Sequence, residues 1–556
     1  MTHKNIYPCL VSLVLLALLL LMGLQGLNLL DDGFMLSAYQ QVFHDPQSVC
    51  YTFLYYLTVV AGGCWHEVFG AWGIFGFRLF DCLLVFTVVL VLFRLYRGLL
   101  HMWQLVASAL MIFLLFNVEV FEYNALSAFT AILVVAFIML AHERCQRKYM
   151  FAAGLMMALC IFVRLPNVAL CGVALVCLWR GVWKAGRGVH YLAMFCIGVT
   201  IGVLAIWSMM HWVGHDVWFL KSLSIAAMIS SSADNSHGLF LMLWVFVKTY
   251  AVVAFIMMAI IAAPVQLWRM QRLAQSQVSK RSRLLSPVCI TIALFLTLLL
   301  SIRWPLHTYN ALAIVACCYV WWNNRNSSRR LALLAVLALL LMLLLPLGSD
   351  GSFNTIGASP LFAAIPLVFI AVKEAADLFE GSYRKVYNRL VITMFMWFGL
   401  MQVYHMLGPA YYEDQPRYKD VCFADVPKAN VLTSMQQKEE TEELMMLFAK
   451  HFKAGDRVLF LSPTPMLHYL TDTRPYLYCA WPHIYGTHTL QTLLNERFSV
   501  DGPPSAIVTN PMITDEEQEV ISSFMNGSMT FSKVETSTTG YEIFVPTARS
   551  HSQNVD

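Results

Sequence analysis

The chain has 556 residues, of which 59% are hydrophobic and 13% are charged. Ordinary soluble domains carry roughly 25% charged residues, so this composition excludes a typical water-soluble protein and indicates a membrane protein. The net charge of +4 is small and the basic residues form no stripe, which argues against nucleic-acid binding.

Apolar segments follow one another over the first 410 residues. About 13 of them are long enough, or nearly so, to span a bilayer. They lie at 8–30, 68–93, 99–116, 125–141, 150–163, 167–180, 191–212, 239–263, 284–302, 309–322, 331–347, 359–372 and 388–408. The fifth, sixth and tenth are short, so broken or re-entrant helices are an alternative there. We predict an α-helical polytopic membrane protein with about 11–13 transmembrane helices, and residues 1–410 form its multi-spanning domain.

The first segment, 8–30, resembles a signal peptide, but no small-residue cleavage site follows it, so we predict an uncleaved span. Basic residues then mark alternate connections between segments: Arg94, Arg97, Arg144, Arg147, Lys148, Arg180, Lys184, Arg187, Arg269, Arg272, Lys280, Arg281, Arg283, Arg325, Arg329, Arg330, Lys373, Arg384 and Lys385. The opposite connections hold little more than Arg164, Lys221 and Arg303. This asymmetry predicts a cytoplasmic N-terminus and, with an odd number of spans, a C-terminal domain outside.

The first outward connection, 31–67, is long and mixes polar with aromatic residues. This composition predicts amphipathic helices that lie on the membrane surface. Cys50 and Cys64 lie in this connection, and Cys422 and Cys479 lie in the outer domain. An oxidising compartment permits a disulfide in each place, but the sequence establishes neither pairing.

Hydropathy falls from residue 411 onward. We predict a small α/β domain over 411–547, periplasmic by the charge argument, followed by a disordered tail at 548–556. Its predicted elements are a helix at 436–450, a strand at 456–461, a helix at 464–470, a strand at 506–509, a helix at 515–526 and a hairpin of 531–534 with 541–545. It contains no Gly-rich phosphate loop and no nucleophile elbow, so we expect it to cap a site or hold an acceptor.

Two carboxylates, Asp31 and Asp32, stand directly after the first segment. Acidic residues often flank the outer end of a span without any role. Here, however, the amphipathic connection that follows would fold back over the membrane and place both carboxylates at the wall of a cavity. A carboxylate in that position can act as a general base towards an acceptor hydroxyl.

Five motifs together resemble the GT-C glycosyltransferases, in particular bacterial mannosyltransferase-like proteins of the protein O-mannosyltransferase and aminoarabinose transferase type; the superfamily also includes oligosaccharyltransferases. The motifs are DDGF at 31–34, FEYN at 121–124, RLPN at 164–167, GSDGSFN at 348–354 and PMLHYLTDTRPYL at 465–477. The resemblance implies a polyprenyl-phosphate-linked sugar donor, an envelope lipid, glycan or protein as acceptor, and a place in a bacterial inner membrane. It assigns the catalytic role to Asp31, with Asp32 as its neighbour.

A lipid phosphate that departs from the sugar needs a cation to stabilise its charge. Arg164 and Arg303 are rare outward cations that each precede a proline, and arginine suits bidentate phosphate contact. Lys221 and Lys248 are further candidates. The alternative for the arginines is ordinary snorkelling at the end of a span.

Further acidic candidates are Glu119 and Glu122, in an outer loop that often supplies an acid in the GT-C proteins, and Asp216; each has the alternative of a solvated loop charge. Arg78 and Asp81 share one helix face and are most simply a buried ion pair. The outward histidines lack paired metal-ligand spacing, so we predict no metal site. Some GT-C branches use a divalent cation and others do not, and the sequence leaves this cofactor open.

Two other functions remain as alternatives. An oligosaccharide ligase or polymerase is also polytopic, but typically places its chemistry in a large late loop. A transporter or flippase for lipid-linked sugars would show repeats with broken helices in matching halves, and no convincing repeat is present. The early carboxylate pair therefore favours a glycosyltransferase.

Overall fold

The computed structural model describes residues 6–115, 120–179, 183, 187–231, 239–275, 280–349, 351–408, 416, 419–527 and 530–547. Glu119 and the predicted tail at 548–556 lie outside these residues.

Helices make up most of the chain before residue 408. They are α1 (Ile6–Gly23), α2 (Asp31–Gln41), α3 (Tyr56–Phe69), α4 (Gly73–Tyr96), α5 (Met102–Leu115), α6 (Tyr123–Arg144), α7 (Arg147–Val163), α8 (Arg187–Val213), α9 (Asp216–Ser231), α10 (Leu239–Gln275), α11 (Lys280–Arg303), α12 (Pro305–Asn324), α13 (Arg329–Leu344), α14 (Phe353–Ile356), α15 (Ile365–Ala376) and α16 (Gly381–Leu407). Backbone amides in lipid must bond within their own segment, which is why apolar runs of this length become helices.

Six helical stretches among the described residues are long and apolar enough to cross a membrane, and three more are apolar but shorter. With the C-terminal sheet described below, this confirms the predicted fold class of a polytopic helical protein with a small α/β region. The exact number of spans stays a prediction. The short sixth segment is irregular, as the alternative allowed, because 3₁₀ helix covers Leu165–Leu178.

The first apolar run is not one continuous span, which corrects the prediction for 8–30. Helix α1 ends at Gly23, and the chain then leaves the helix with Gly26 at a φ of +84°. The backbone N–H of Gly26 donates to the carbonyl of Leu432, and the N–H of Leu432 donates to the carbonyl of Leu24, both at 2.7 Å. The end of the apolar run therefore pairs with the C-terminal domain instead of extending α1.

The C-terminal region forms a five-stranded mixed sheet with the order β4-β3-β5-β7-β6. Strands β3 (Arg457–Leu461), β4 (Arg474–Pro475) and β5 (Ala506–Thr509) are parallel, whereas β6 (Phe531–Thr536) and β7 (Glu542–Pro546) form an antiparallel hairpin on β5. A separate pair, β1 (Val421–Cys422) with β2 (Leu432–Thr433), precedes the sheet. Helices α17 (Met435–His451), α18 (Met466–Thr471), α19 (Thr487–Asp501) and α20 (Asp515–Gly527) complete this region.

The predicted C-terminal elements, including the hairpin, match the observed ones within two residues at each end. Helix α19 was not predicted, because its sequence, THTLQTLLNERFSVD, has a weak apolar face. Strands β1, β2 and β4 were also not predicted, because two residues give no periodic signal. The domain boundary at 410–411 stays a prediction.

Helix α2 lies between the membrane bundle and the C-terminal region. On one side, Ser37 Oγ donates to the carbonyl of Pro465 at 3.1 Å, and the N–H of Met466 donates to the carbonyl of Leu29 at 3.1 Å. On the other side, the hydroxyl of Tyr39 donates to the carbonyl of Phe121 at 2.5 Å. The predicted surface connection therefore contains a helix that is buried on both faces.

Candidate active site

Asp31 is the first residue of α2, and its side chain is exposed. The free N–H groups at a helix N-terminus favour a negative charge there. The carboxylate also lies close enough to Tyr123, at the start of α6, to interact with it electrostatically. Asp31 is thus an accessible carboxylate at a junction of α2 and α6, the position that a base acting on a bound hydroxyl requires.

Asp32 is in the opposite environment, with only 2% of its surface exposed. Its carboxylate accepts a hydrogen bond from Arg78 at 3.0 Å and another from the backbone N–H of Val120 at 3.3 Å. Burial outweighs both donors and raises the pKa of Asp32 above its ordinary value. The predicted catalytic pair is therefore divided, because only Asp31 is accessible and Asp32 holds structure together.

Arg78 is completely buried in α4. Besides the ion pair with Asp32, its guanidinium donates to the carbonyls of Gly23 at 3.1 Å and Gly26 at 2.8 Å. Spacing along α4 predicted a partner at Asp81, which is also fully buried, but did not predict Asp32. The ion pair joins α4 to the chain that leads from α1 into α2, and so fixes the start of the helix that carries Asp31.

Tyr123, from the FEYN motif, connects Asp31 to the RLPN motif. Its ring stacks on that of Tyr55, with centroids 4.4 Å apart and planes inclined by 14°. The guanidinium carbon of Arg164 lies 5.8 Å from the centre of the Tyr123 ring, within the range of a cation–π contact. Asp31, Tyr55 and Arg164 therefore surround one aromatic side chain, although they come from distant parts of the sequence.

Arg164 is 4% exposed and is held by the GSDGSFN segment. It donates to the carbonyls of Leu345 at 3.4 Å and Gly348 at 3.5 Å, and to the hydroxyl of Ser349. These partners are uncharged, so they do not neutralise the guanidinium, and its positive charge can act on neighbouring groups. Gly348 has a φ of +77°, and a Cβ there would lie 2.8 Å from the Cβ of Pro166. The two motifs are thus packed against each other through a required glycine.

The other predicted cations have different positions. Arg303 ends α11 and is exposed, four residues before His307, whose ring packs against Phe353 of the GSDGSFN segment at 6.3 Å. Lys248 is exposed on α10. Lys221 is occupied by the C-terminal region, because its Nζ lies 2.6 and 2.8 Å from the two carboxylate oxygens of Glu496. Its contact therefore indicates domain docking in place of the predicted phosphate binding.

Among the predicted acids, Glu122 accepts a hydrogen bond from the side chain of Asn124 at 2.7 Å and lies next to Tyr123. Asp216 begins α9 and pairs with the exposed His211 at 2.7 Å. The His211 hydrogen bond lowers the pKa of Asp216 below its ordinary value. Glu122 thus lies near Tyr123, as Asp31 does, whereas the contact of Asp216 is local to the α8–α9 turn.

Four residues of the site were given no individual role by the sequence analysis. Asn28 is 2% exposed, and its side chain bonds to Asp32 and to the N–H of Leu30. Tyr55 lies in the first outward connection, which was noted only for its composition, whereas Tyr123 and Ser349 lie in the FEYN and GSDGSFN motifs. The FEYN and GSDGSFN motifs could have indicated Tyr123 and Ser349, but no sequence signal places Tyr55 against Tyr123. Among the residues that the structure describes, no group of three or more potential metal ligands comes together.

No family model and no curated protein matches the chain. Among solved structures, ArnT from Cupriavidus metallidurans matches with 13% identity over 97% of this chain and 98% of that chain, at a TM-score of 0.41. The Archaeoglobus fulgidus oligosaccharyltransferase, in complex with zinc and sulfate, matches with 12% identity over 96% of this chain and 73% of that chain, at a TM-score of 0.45.

The apo form of the same oligosaccharyltransferase matches with 12% identity over 99% of this chain and 76% of that chain, also at a TM-score of 0.45. Both proteins are GT-C glycosyltransferases, the superfamily that the sequence motifs of this chain resemble. At such identities and TM-scores the likeness concerns general architecture alone, and we base no functional assignment on it.

Proposed function

We propose that this protein is a membrane glycosyltransferase that transfers a sugar from a polyprenyl-phosphate-linked donor to an acceptor hydroxyl of an envelope lipid, glycan or protein. The observation that carries the proposal is the junction around Tyr123. There, one accessible carboxylate, Asp31, is fixed at a helix N-terminus near a guanidinium, Arg164, that has no acidic partner among its described contacts.

Asp31 acts as the base. Its carboxylate accepts the proton of the acceptor hydroxyl while the hydroxyl oxygen bonds to the anomeric carbon of the donor sugar. The bond between that carbon and the donor phosphate breaks, and the phosphate oxygen leaves with the electron pair. The rigid position of α2, which is buried on both faces, keeps Asp31 in place without reorganisation during the step.

The arginines compensate the charge on the departing phosphate. Arg164 supplies a fixed positive field, because its contacts with carbonyl and hydroxyl oxygens hold it without neutralising it. Arg303 is exposed at the end of α11 and is the residue of the two that is free to contact the phosphate directly. Lys248 is a weaker candidate, because it is exposed on the face of a membrane helix.

The reaction takes place at the outer face of a bacterial inner membrane. The alternation of connections along the sequence supports this location, because it assigns the basic connections to the side opposite to Asp31, Arg164 and Arg303. The C-terminal domain contacts α2, the helix that begins with Asp31, and the residues just before it. It would then lie in the periplasm, above the site, where it can hold the acceptor.

The substitution Asp31→Asn tests the role of the base. It removes proton acceptance and keeps the size of the side chain, so we expect sugar transfer to fall by about 100- to 10,000-fold. The measurement is transfer of a radiolabelled sugar from a polyprenyl-phosphate donor by the purified chain, with membrane lipid extract as the source of acceptor.

Asp216→Asn is the matched control, because Asp216 is also the first residue of an outward helix and its contact is with His211. We expect it to keep wild-type transfer. Near wild-type transfer by Asp31→Asn in a folded, inserted chain would show that Asp31 is not the base.

A further inference from the structure

Two cysteines from different parts of the chain lie side by side at the contact between the first outward connection and the C-terminal region. Cys50 belongs to the 3₁₀ segment Pro46–Tyr55, and Cys479 follows β4. They are 0% and 1% exposed and belong to one apolar cluster, together with Tyr478 and Tyr485. Both are free thiols in this structure.

The backbone brings these cysteines together. The N–H of Tyr51 donates to the carbonyl of Tyr478 at 3.0 Å, so the residues next to this bonded pair are Cys50 and Cys479. A second contact agrees with this placement. Tyr485 bonds to the Cys479 thiol and also interacts electrostatically with Cys50, so both sulfurs lie near the same phenol. A disulfide needs Cα atoms within about 7 Å of each other, and the Tyr51–Tyr478 hydrogen bond with the shared contact to Tyr485 brings the two cysteines close together.

The structure does not support the two pairings that the sequence left open. Cys64 is exposed in α3 and Cys422 is exposed in β1, whereas their predicted partners are both buried in the apolar cluster. The tertiary structure thus brings together one cysteine from each predicted pair, Cys50 and Cys479.

We propose that Cys50 and Cys479 form a disulfide that fastens the C-terminal domain to the first outward connection. This inference rests on the outward location given in the proposed function, because the bond needs an oxidising compartment. Thiol–disulfide exchange with a protein disulfide oxidises the two thiols. One sulfur–sulfur bond forms in this chain, the oxidant's disulfide is reduced to two thiols, and these take up the two protons.

The bond forms before the two parts have fully docked. In the docked arrangement an oxidant cannot reach either sulfur, and burial raises the pKa of the Cys479 thiol to about 12, which suppresses the reactive thiolate. For the same reasons, a reductant in solution reaches the completed bond slowly. The disulfide is therefore a permanent fastening of the domain above Asp31 and not a rapidly reversible switch.

Peptide mapping tests the proposal. Full-length protein is purified from membranes with free thiols blocked by N-ethylmaleimide during lysis, then unfolded and digested without reductant. We expect one linked species that joins the Cys50 and Cys479 peptides and disappears after dithiothreitol. Peptides of Cys64 and Cys422 should carry N-ethylmaleimide. Alkylation of both Cys50 and Cys479 after unfolding, with no linked species, would overturn the proposal.

A second readout keeps the proposal testable if a variant folds poorly. In limited proteolysis of the wild-type chain, unfolding the C-terminal domain with mild denaturant should leave it attached to the membrane part on a non-reducing gel, even after cleavage between residues 411 and 418. Cys50→Ser should release the fragment, and Cys64→Ser, the matched control, should not. Equal release from both variants would contradict the bond.

The outcome is separable from that of the proposed function. Loss of transfer in Asp31→Asn, with no linked peptide in the wild-type chain, would support the proposed function and contradict the disulfide. A linked peptide with normal transfer in Asp31→Asn would support the disulfide and contradict the role of Asp31 as the base.

Discussion

Asp31 and Asp32 differ because consecutive residues of an α-helix point about 100° apart around its axis. One carboxylate of α2 therefore faces the solvent side of the junction with Tyr123, and the next faces Arg78 in the bundle. Two chemically identical side chains thus receive separate tasks, since the exposed one can meet a substrate and the buried one can only meet protein.

The ion pair of Asp32 with Arg78 should be costly to break from one side. Asp32→Asn removes the carboxylate that the buried guanidinium of Arg78 contacts at 3.0 Å, and we expect the free energy of unfolding to fall by about 3–5 kcal/mol. Asp31→Asn, at an exposed position, should change it by less than about 0.5 kcal/mol. Thermal unfolding in detergent compares the two variants.

The double variant Asp32→Leu with Arg78→Met is the control for this pair. It replaces both charges by apolar side chains of similar size, and much of the lost stability should return. If Asp32→Asn melts at the wild-type temperature, the ion pair does not hold α2 in place.

At the scale of elements, α2 is a thin layer between the membrane bundle and the C-terminal region, and Gly33 sets its distance from α18. A Cβ at Gly33 would lie 2.1 Å from the backbone nitrogen of Met466, closer than any real contact. Since that nitrogen belongs to the backbone, no side-chain movement can relieve the overlap. The DDGF motif therefore needs its glycine for the close approach of α18, and not for an unusual φ.

Gly33→Ala should separate α18 from α2. We expect faster cleavage of the C-terminal region by trypsin and weaker sugar transfer, because the layer that carries Asp31 loses its support. Gly399→Ala in α16 is the matched control, since a Cβ there meets nothing within 4 Å and alanine favours a helix. Equal protease resistance of the two variants would show that the contact with α18 is not needed.

At the scale of the molecule, the charge asymmetry and the docking of the C-terminal region together predict on which side of the membrane each part lies. The hydrogen bonds of Ser37 with Pro465 and of Leu29 with Met466 place that region beside the start of α2, where Asp31 lies. The connection between α6 and α7 lies on the other side if the basic residues are cytoplasmic, as we propose.

Two exposed thiols allow this topology to be measured in the unmodified chain. Cys422 lies in β1, and Cys145 lies in the basic connection after α6. In intact spheroplasts, a membrane-impermeant maleimide should label the Cys422 peptide and leave Cys145 unlabelled; after lysis it should label both. Labelling of Cys145 alone before lysis would reverse the proposed orientation.

Contacts between residues far apart in the chain could not be predicted from the sequence. Hydropathy predicted most membrane helices, because a run of apolar residues carries its own signal, and periodicity predicted α17, β3, β5 and the β6–β7 hairpin for the same reason. Prediction from these patterns failed where a contact with a distant segment decides the local structure. The apolar run after Gly23 would continue as helix on its own, and it is the pairing with Leu432 that ends α1.

The sequence by itself determined a polytopic membrane protein with a C-terminal α/β region and marked Asp31 as the leading carboxylate, because composition, hydropathy and motif order are properties of the chain alone. Only the tertiary structure decided that Asp32 is paired with Arg78, that Lys221 binds Glu496, and that Tyr55 stacks on Tyr123. Each of these contacts joins residues far apart in the chain. Their side chains carry no mark of their partners until packing brings them together.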